Sequence, residues 1–389
     1  MSRVLVAMSG GVDSSVAAAL LVEQGHEVIG ATMLLFCPER IGASGRSCCS
    51  LDSVREAGAV AGRLGVPHYT LDLEDRFRRD VVADFVREYA RGRTPNPCAR
   101  CNSFTKFGDL VAHADALGCD AVATGHYVRV RDGTLLRGRD PAKDQSYFLW
   151  GVRREVVARM LTPVGEFTKQ ETREAARRFG LRNAEREESQ EICFVPGGDY
   201  AAVLERHLGA DAPALSPGPV VTAAGEVIGE HRGFARYTIG QRRGLPGGRA
   251  RPLRVVAIRP GTRELVVGEE SDLASHAVTV EQVNWLADPL GVGERCEVQV
   301  RYRSKPVSAV VAAASAGQGG PAEGPGAAAG PRGAAAANGA AAGRQGATRA
   351  PADPQSLVLE LDEPALAVAP GQSAVMYRGD QVLGGGVMA

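Results

Sequence analysis

Arg3 to Met8 is a short, mostly apolar run that leads into the pair Gly10-Gly11. Ser14 to Glu23 is rich in Ala, Leu and Val and stops at Gly25, the pattern of a helix closed by a glycine. Val28 to Leu35 reads as a strand, Asp52 to Leu64 as a helix ended by Gly65, His68 to Leu73 as a strand, Arg76 to Ala90 as a helix and Asp120 to Thr124 as a short strand. Strand and helix alternating at this spacing predict a parallel sheet covered on both faces. Ligands of such sheets bind beyond the carboxyl ends of the strands. Further on, Thr168-x-x-Glu171 is a capping box and Gly180 closes its helix. Lys169, Arg173 and Arg177 share one face of that helix, which reads as solvated surface.

The texture changes after Gly209. Val255 to Ile258, Glu264 to Val267, Cys296 to Val300 and Leu357 to Leu361 are short runs among dense Pro and Gly, as in small β barrels. A break near Trp285 separates two such units. The boundaries expected are 1–209 for the α/β part, 210–280 for a central β domain and 281–389 for a second β domain. Between Ala312 and Ala352 the composition collapses: 18 of 41 residues are Ala and 10 are Gly, with no large apolar side chain. Such a stretch cannot offset its ordering entropy, so residues 312–352 read as a disordered insertion between two strands.

Composition adds exclusions. A chain of 389 residues is long for one core at about 150 residues per domain. No window approaches the roughly 18 uncharged apolar residues of a membrane span, and nothing at the amino terminus reads as an export signal, so a cytoplasmic protein with reduced cysteines is expected. The net charge is zero, from 45 basic and 45 acidic residues, which excludes a uniform nucleic-acid coat but not a segregated basic face. Arg232 through Arg263 holds nine arginines and no Asp or Glu, interleaved with Phe234 and Tyr237, and Arg301-Tyr302-Arg303 repeats the theme. This favours a phosphate-tracking face for nucleic acid.

Two motifs carry candidate chemistry. Ser9-Gly10-Gly11-Val12-Asp13-Ser14-Ser15 joins the first strand to the first helix. Its glycines let the backbone approach a ligand, its serines add hydroxyls, and the helix terminus favours an anion; a pyrophosphate suits this geometry. The Lys-Ser/Thr of nucleotide-hydrolysing switches and the Gly-x-Gly-x-x-Gly of dinucleotide folds are both missing. The second motif, Cys98-Ala99-Arg100-Cys101 inside Thr94 to Asn102, is expected on a loop after Pro95 and Pro97, with Arg91, Arg93, Arg100 and Lys106 nearby to favour thiolates. It could be redox-active, catalytic or metal-ligating. Cys193 by itself reads as a core residue, and so do Cys37, Cys48, Cys49, Cys119 and Cys296, with a small site of Cys37, Cys48 and Cys49 as the alternative for those three.

The full Ser9–Ser15 run resembles the loop of the ATP pyrophosphatase (PP-loop) superfamily. With Thr94 to Asn102, Ala123 to Tyr127, Lys143 to Leu149, Glu188 to Phe194 and Tyr237 to Leu245 in the expected order, the chain resembles the bacterial tRNA-specific 2-thiouridylases over about 1–310 and 355–389. The resemblance implies a catalytic α/β domain of the adenine nucleotide alpha hydrolase-like type, a small central β domain and a carboxyl-terminal β-barrel. It implies that ATP, with magnesium, adenylates the C2 oxygen of a tRNA wobble uridine, and that a persulfide sulfur replaces that oxygen. Ala7, Met8, Ser9, Gly10, Gly11, Val12, Asp13, Ser14, Met33 and Gly125 would then hold ATP. Cys101 would be the nucleophile and Cys193 the persulfide carrier. Asn96, Pro97 and Cys98 would surround the target base, and His126, Lys143, Asp144, Gln145, Arg301, Tyr302 and Gln372 would contact tRNA. A cysteine desulfurase or relay protein would supply sulfur. Two schemes stay open: an iron–sulfur cluster on Cys98, Cys101 and Cys193, or a Cys101/Cys193 thiol pair that ends as a disulfide. The target base must be extracted and kept from water, which predicts a narrow pocket near Cys101 and a mobile Ala184 to Pro196 segment.

Overall fold

The computed structural model describes residues 1–36, 51–186, 192–245, 252–315 and 355–389. Its first layer is a five-stranded sheet, entirely parallel, in the order His68–Asp72, Glu27–Leu34, Arg3–Ala7, Ala121–Ala123, Met160–Leu161. Val4, Leu5 and Val6 of the central strand are fully buried, because helices cover both faces. Helix Val12–Glu23 is apolar almost all round and packs between the sheet and helix Lys169–Arg178. Leu51–Leu64 adds its Ala57, Val60 and Ala61 stripe to the same core. Chain order reverses at Arg3–Ala7, with Glu27–Leu34 on one side and Ala121–Ala123 on the other. The crevice beyond the carboxyl ends of these strands is the expected ligand position.

The predicted helix Arg76 to Ala90 is one continuous run of Glu74–Phe77, a π-helical turn Arg78–Val82 and Ala83–Ala90. The capping box is formed: Glu171 N donates to Thr168 Oγ1 (3.2 Å) and Thr168 N to Glu171 Oε2 (2.6 Å).

A four-stranded sheet follows, ordered Arg254–Arg259, Glu264–Gly268, Gly218–Thr222, Val227–His231. The last unit is a closed barrel of six strands: Ala274–Trp285, Ser356–Leu366, Val307–Ser315, Arg295–Gln299, Ser373–Arg378 and Gln381–Met388, with the first pairing again with the last. Its interior is built from Val280, Val298, Leu357, Leu359, Met376 and Met388.

Two features depart from the sequence reading. Hairpin Val128–Arg131/Thr134–Arg137 leaves the α/β unit and joins the barrel strand Gln381–Met388 at Leu136 opposite Gln381. Its turn, Asp132-Gly133, has positive φ at both residues, the signature of a tight hairpin. Ala312 to Ser315 are strand, not insertion, because Ser356, Leu357 and Val358 of the next strand supply pairing partners. Residues 316–354 lie outside the described residues.

Candidate nucleotide and sulfur-transfer site

Ser9, Gly10 and Gly11 form the turn between the central strand and helix Val12–Glu23. Gly10 has φ +71°, and a Cβ there would sit 2.7 Å from the Ser53 carbonyl oxygen. No side chain caps the helix, so its first amides face an incoming anion. The serines brace the turn instead. Ser14 Oγ donates to Gly11 O (3.1 Å) and accepts from Ser9 N (3.1 Å), while Ser15 Oγ donates to Gly11 O (2.9 Å). Asn183 Nδ2 holds Gly10 O and Ser15 Oγ, each at 2.9 Å. Across the crevice, Gly125 lies flat on the helix terminus; a Cβ there would be 2.5 Å from Ser14 N.

These elements enclose a cavity of about 200 Å3. Ala7, Met8, Ser9, Gly11, Asp13, Ser14, Met33 and Gly125 line it; Gly10 faces Ser53, and Val12 packs in the core. Leu35, Phe107 and Leu110 give it an apolar wall, a surface suited to a purine face. Lys106, Thr124, His126 and Gln145 also line it. His126 and Gln145, expected from the resemblance to face tRNA, thus line this cavity. His126 Nδ1 is 2.9 Å from Thr124 Oγ1, and its ring packs on Phe107. Burial, and secondarily the charge of Lys106, depress its pKa to about 3, so the ring is neutral at working pH.

Asp13 reaches sideways. Lys169 Nζ lies 2.7 Å and the Tyr127 hydroxyl 2.8 Å from Asp13 Oδ1, and the Lys169 ammonium also approaches the Tyr127 ring. With its carboxylate so engaged, Asp13 serves to fix the first helical turn.

Cys98 and Cys101 lie on helices, not on the expected loop. Pro97 occupies the first position of helix Pro97–Arg100, where a missing amide proton costs nothing, and Asn96 Oδ1 caps it by accepting from Ala99 N (3.1 Å). Cys101 opens a π-helical turn, Cys101–Lys106. Cys98 is exposed, Cys101 buried and Cys193 partly buried. Cys101 belongs to the large apolar cluster of the α/β unit, and Cys193 packs against that cluster. The neighbouring Phe194 is anchored edge-on between Phe77 and Phe85. Residues 187–191 of the Ala184 to Pro196 segment, and Cys37, Cys48 and Cys49, lie outside the described residues. Two of the basic neighbours expected to favour thiolates are matched by acids: Arg93 pairs with Glu88 (2.8 Å) and Arg100 with Asp84 (3.1 Å). Among the described residues no group of three or more His, Cys, Asp or Glu side chains is placed to hold a metal ion.

Other motif residues hold the units together. Asp144 accepts from Gly138 N, Ser146 N and Ser146 Oγ, and Gln145 Oε1 accepts from Tyr127 N. Tyr147 and Trp150 dock on Ser373 of the barrel. Arg301 Nη2 donates to Ile239 O (2.8 Å), and Tyr302 packs on Phe148. Gln372 Nε2 donates to Thr94 O (2.8 Å). Thr94 also bonds Thr238 through its hydroxyl and Pro370 through its amide, so all three units meet just ahead of Cys98. The arginine-rich stretch is partly neutralised: Arg236 pairs with Glu205, Arg254 with Glu270 and Arg259 with Glu264. Arg242 and Arg243 remain exposed. Lys106, Lys169 and Asn183 carry no nucleotide-site signal in the sequence; only their placement in space singles them out.

The all-parallel sheet, its chain reversal and the uncapped glycine turn define a nucleotide-binding α/β enzyme of the ATP pyrophosphatase type with two β units attached. Family signatures agree. The "tRNA methyl transferase HUP domain" matches residues 2–197, its "PRC-barrel domain" residues 202–269, and the "Aminomethyltransferase beta-barrel domain" residues 343–388. The tRNA-specific 2-thiouridylase MnmA of Carboxydothermus hydrogenoformans is 42% identical over 395 residues, covering 99% of this chain and 97% of that protein. The MnmA proteins of Thermus thermophilus and Rhodospirillum rubrum are each 44% identical over 398 residues, covering 100% and 99% of this chain and 95% of each relative. A solved 4-thiouridine synthetase–RNA complex with bound ATP is a remote likeness, with TM-score 0.33 and 16% identity over 54% of this chain and 51% of that one. The chain belongs to the tRNA-specific 2-thiouridylase family.

Proposed function

We propose that this chain is a tRNA-uridine 2-sulfurtransferase. It uses ATP to adenylate the C2 oxygen of the wobble uridine, then replaces that oxygen with sulfur, giving 2-thiouridine, AMP and pyrophosphate. The observation that carries the reading is the cavity between the Ser9–Ser14 turn and Gly125, reached by the helix that begins at Cys101. A uracil carbonyl oxygen is a poor leaving group, and adenylation makes it a good one. The phosphate loop suits that step. Methyl transfer, which the family description names, would not need it.

The residue roles follow the same reading. The turn and Gly125 receive the phosphates, and Met33 with Leu35 and Phe107 receives the adenine. Asn96, Pro97 and Cys98 face the base, with Lys143, Arg301, Tyr302 and Gln372 towards the rest of the RNA. Cys193 carries the persulfide and Cys101 resolves it, and a cysteine desulfurase or relay protein loads the sulfur. We read the thiols as a Cys101/Cys193 pair, with an iron–sulfur cluster on Cys98, Cys101 and Cys193 as the alternative. The units divide at about 209 and 280. No helix among the described residues is long and apolar enough to cross a membrane, and substrates such as tRNA and ATP suit a cytoplasmic enzyme.

Mass analysis of unmodified tRNA incubated with the protein, ATP and a sulfide source tests the proposal. One sulfur gained for one oxygen in the anticodon loop is expected. Pyrophosphate released with small amines and not with tRNA would instead mark an amide-forming ligase.

A further inference from the structure

The π-helical turn Cys101–Lys106 carries a residue that the reaction scheme leaves unused. Its first residue is Cys101, and its last, Lys106, lines the nucleotide cavity. In an α-helix, residues five apart point about 140° away from each other. A turn bonded from i to i+5 is wider, so Lys106 follows Cys101 by little more than one turn of the same helical run. Among the described residues, Asn102 Oδ1 and Thr105 Oγ1 of the same turn are buried without a hydrogen-bond partner, a local cost of the kind found at strained or functional sites.

Asp13 is the one acidic side chain among the described lining residues, and Lys169 matches it. Of the two basic residues among the described lining residues, His126 is neutral at working pH, so Lys106 is the cationic one. It is near enough for its charge to help depress the His126 pKa, with burial the larger cause.

We infer that Lys106 is a catalytic residue of the adenylation step, its ammonium contacting the α-phosphate of ATP. This rests on the function proposed above. The C2 oxygen of the uridine forms a bond to the α-phosphorus, the bond from that phosphorus to the bridging oxygen breaks, pyrophosphate leaves with the electron pair, and the uridine N3 proton passes to solvent. Lys106 keeps its proton throughout. It neutralises charge that builds on the phosphoryl oxygens, which an uncharged side chain cannot do in a partly enclosed site.

Single-turnover pyrophosphate release from ATP and unmodified tRNA tests this in the full chain, alongside equilibrium ATP binding. Lys106→Met should slow release by about 100- to 1,000-fold while weakening ATP binding by less than about tenfold, and Lys106→Arg should recover at least about tenfold of the loss. Lys106→Gln, isolated from any packing change through its thermal melt, should follow Lys106→Met. Release by Lys106→Met or Lys106→Gln within about threefold of the parent would overturn the inference, as would equal losses in binding and release. Failure of the parent to release pyrophosphate with tRNA would sink the function itself.

Discussion

Lys169 Nζ lies 2.7 Å from Asp13 Oδ1, joining the start of one helix to the first turn of another 156 residues earlier in the chain. Both side chains are largely buried, so removing either leaves a poorly solvated charge. Lys169→Met should lower thermal stability and cut ATP-dependent pyrophosphate release by about ten- to a hundredfold, through a misplaced helix terminus and not through tRNA affinity. ATP titration calorimetry and tRNA binding, measured on the same variant, separate the two. A change confined to tRNA binding would refute the positioning role.

Gly125 makes a sharper case. A methyl group there would press into the Ser14 amide at the very terminus that should receive phosphate. Gly125→Ala should cost about 1–3 kcal/mol in chemical denaturation, as overpacking does, and raise the KM for ATP well beyond that of a surface Gly→Ala control. An unchanged KM would mean that nucleotide does not lie against this turn.

Much of this was legible from local pattern. Strand–helix alternation gives the parallel sheet, and Ser9 to Ser15 marks the nucleotide turn without any structural help. What local pattern hides is partnership across the chain. Lys169 belongs to a helix whose Lys169-Arg173-Arg177 face reads as solvent-exposed, and Asp13 alone changes that reading. The arginine-rich stretch looks unopposed because the window stops one residue before Glu264, the partner of Arg259, while Glu205 and Glu270 come from farther away. Hairpin 128–137 carries a legible Asp-Gly turn, yet its pairing with a strand near residue 381 depends on folding. Pro95 and Pro97 suggest a loop, whereas Pro97 and Asn96 together start a helix.

His126 sets a pH signature. Its folded pKa, about 3, lies below the ordinary value of 6.5, so the unfolded chain binds the extra proton in that interval. Stability from this group is full above about pH 6.5 and is lost as pH falls towards 3. His68 and His231 are shifted in the same direction by burial and share the trend. His126→Gln should therefore show a smaller fall in melting temperature between about pH 7 and pH 5 than the parent protein. Parallel melting curves across this range would show that His126 is not held neutral.

The meeting point at Thr94 predicts communication between units. Gln372 and Thr238, from different β units, both bond this residue four positions before Cys98. Gln372→Ala removes one side-chain bond, worth about 1 kcal/mol, and should leave global stability little changed. Its larger effect should be faster proteolysis around Arg91 to Thr94 and slower thiolation with normal ATP affinity. Protease mapping unaltered from the parent would confine Gln372 to direct RNA contact.

The three cysteines separate the sulfur chemistries most directly. Cys98 is exposed, Cys101 is buried at the head of the π turn, and Cys193 packs beside Phe194 at the edge of the same apolar cluster. A persulfide route needs one carrier and one resolving thiol. Cys193→Ser and Cys101→Ser should each abolish sulfur incorporation, read by mass of the tRNA, while pyrophosphate release continues. Cys98→Ser should keep thiolation within about tenfold, because its sulfur makes no step of that route. Phe194→Ala should lower stability by about 3–5 kcal/mol and also reduce thiolation, since Phe194 fixes the segment that bears Cys193. A cluster enzyme would behave otherwise: Cys98→Ser would be as dead as the other two, and anaerobically purified parent protein would contain iron and acid-labile sulfide in stoichiometric amounts.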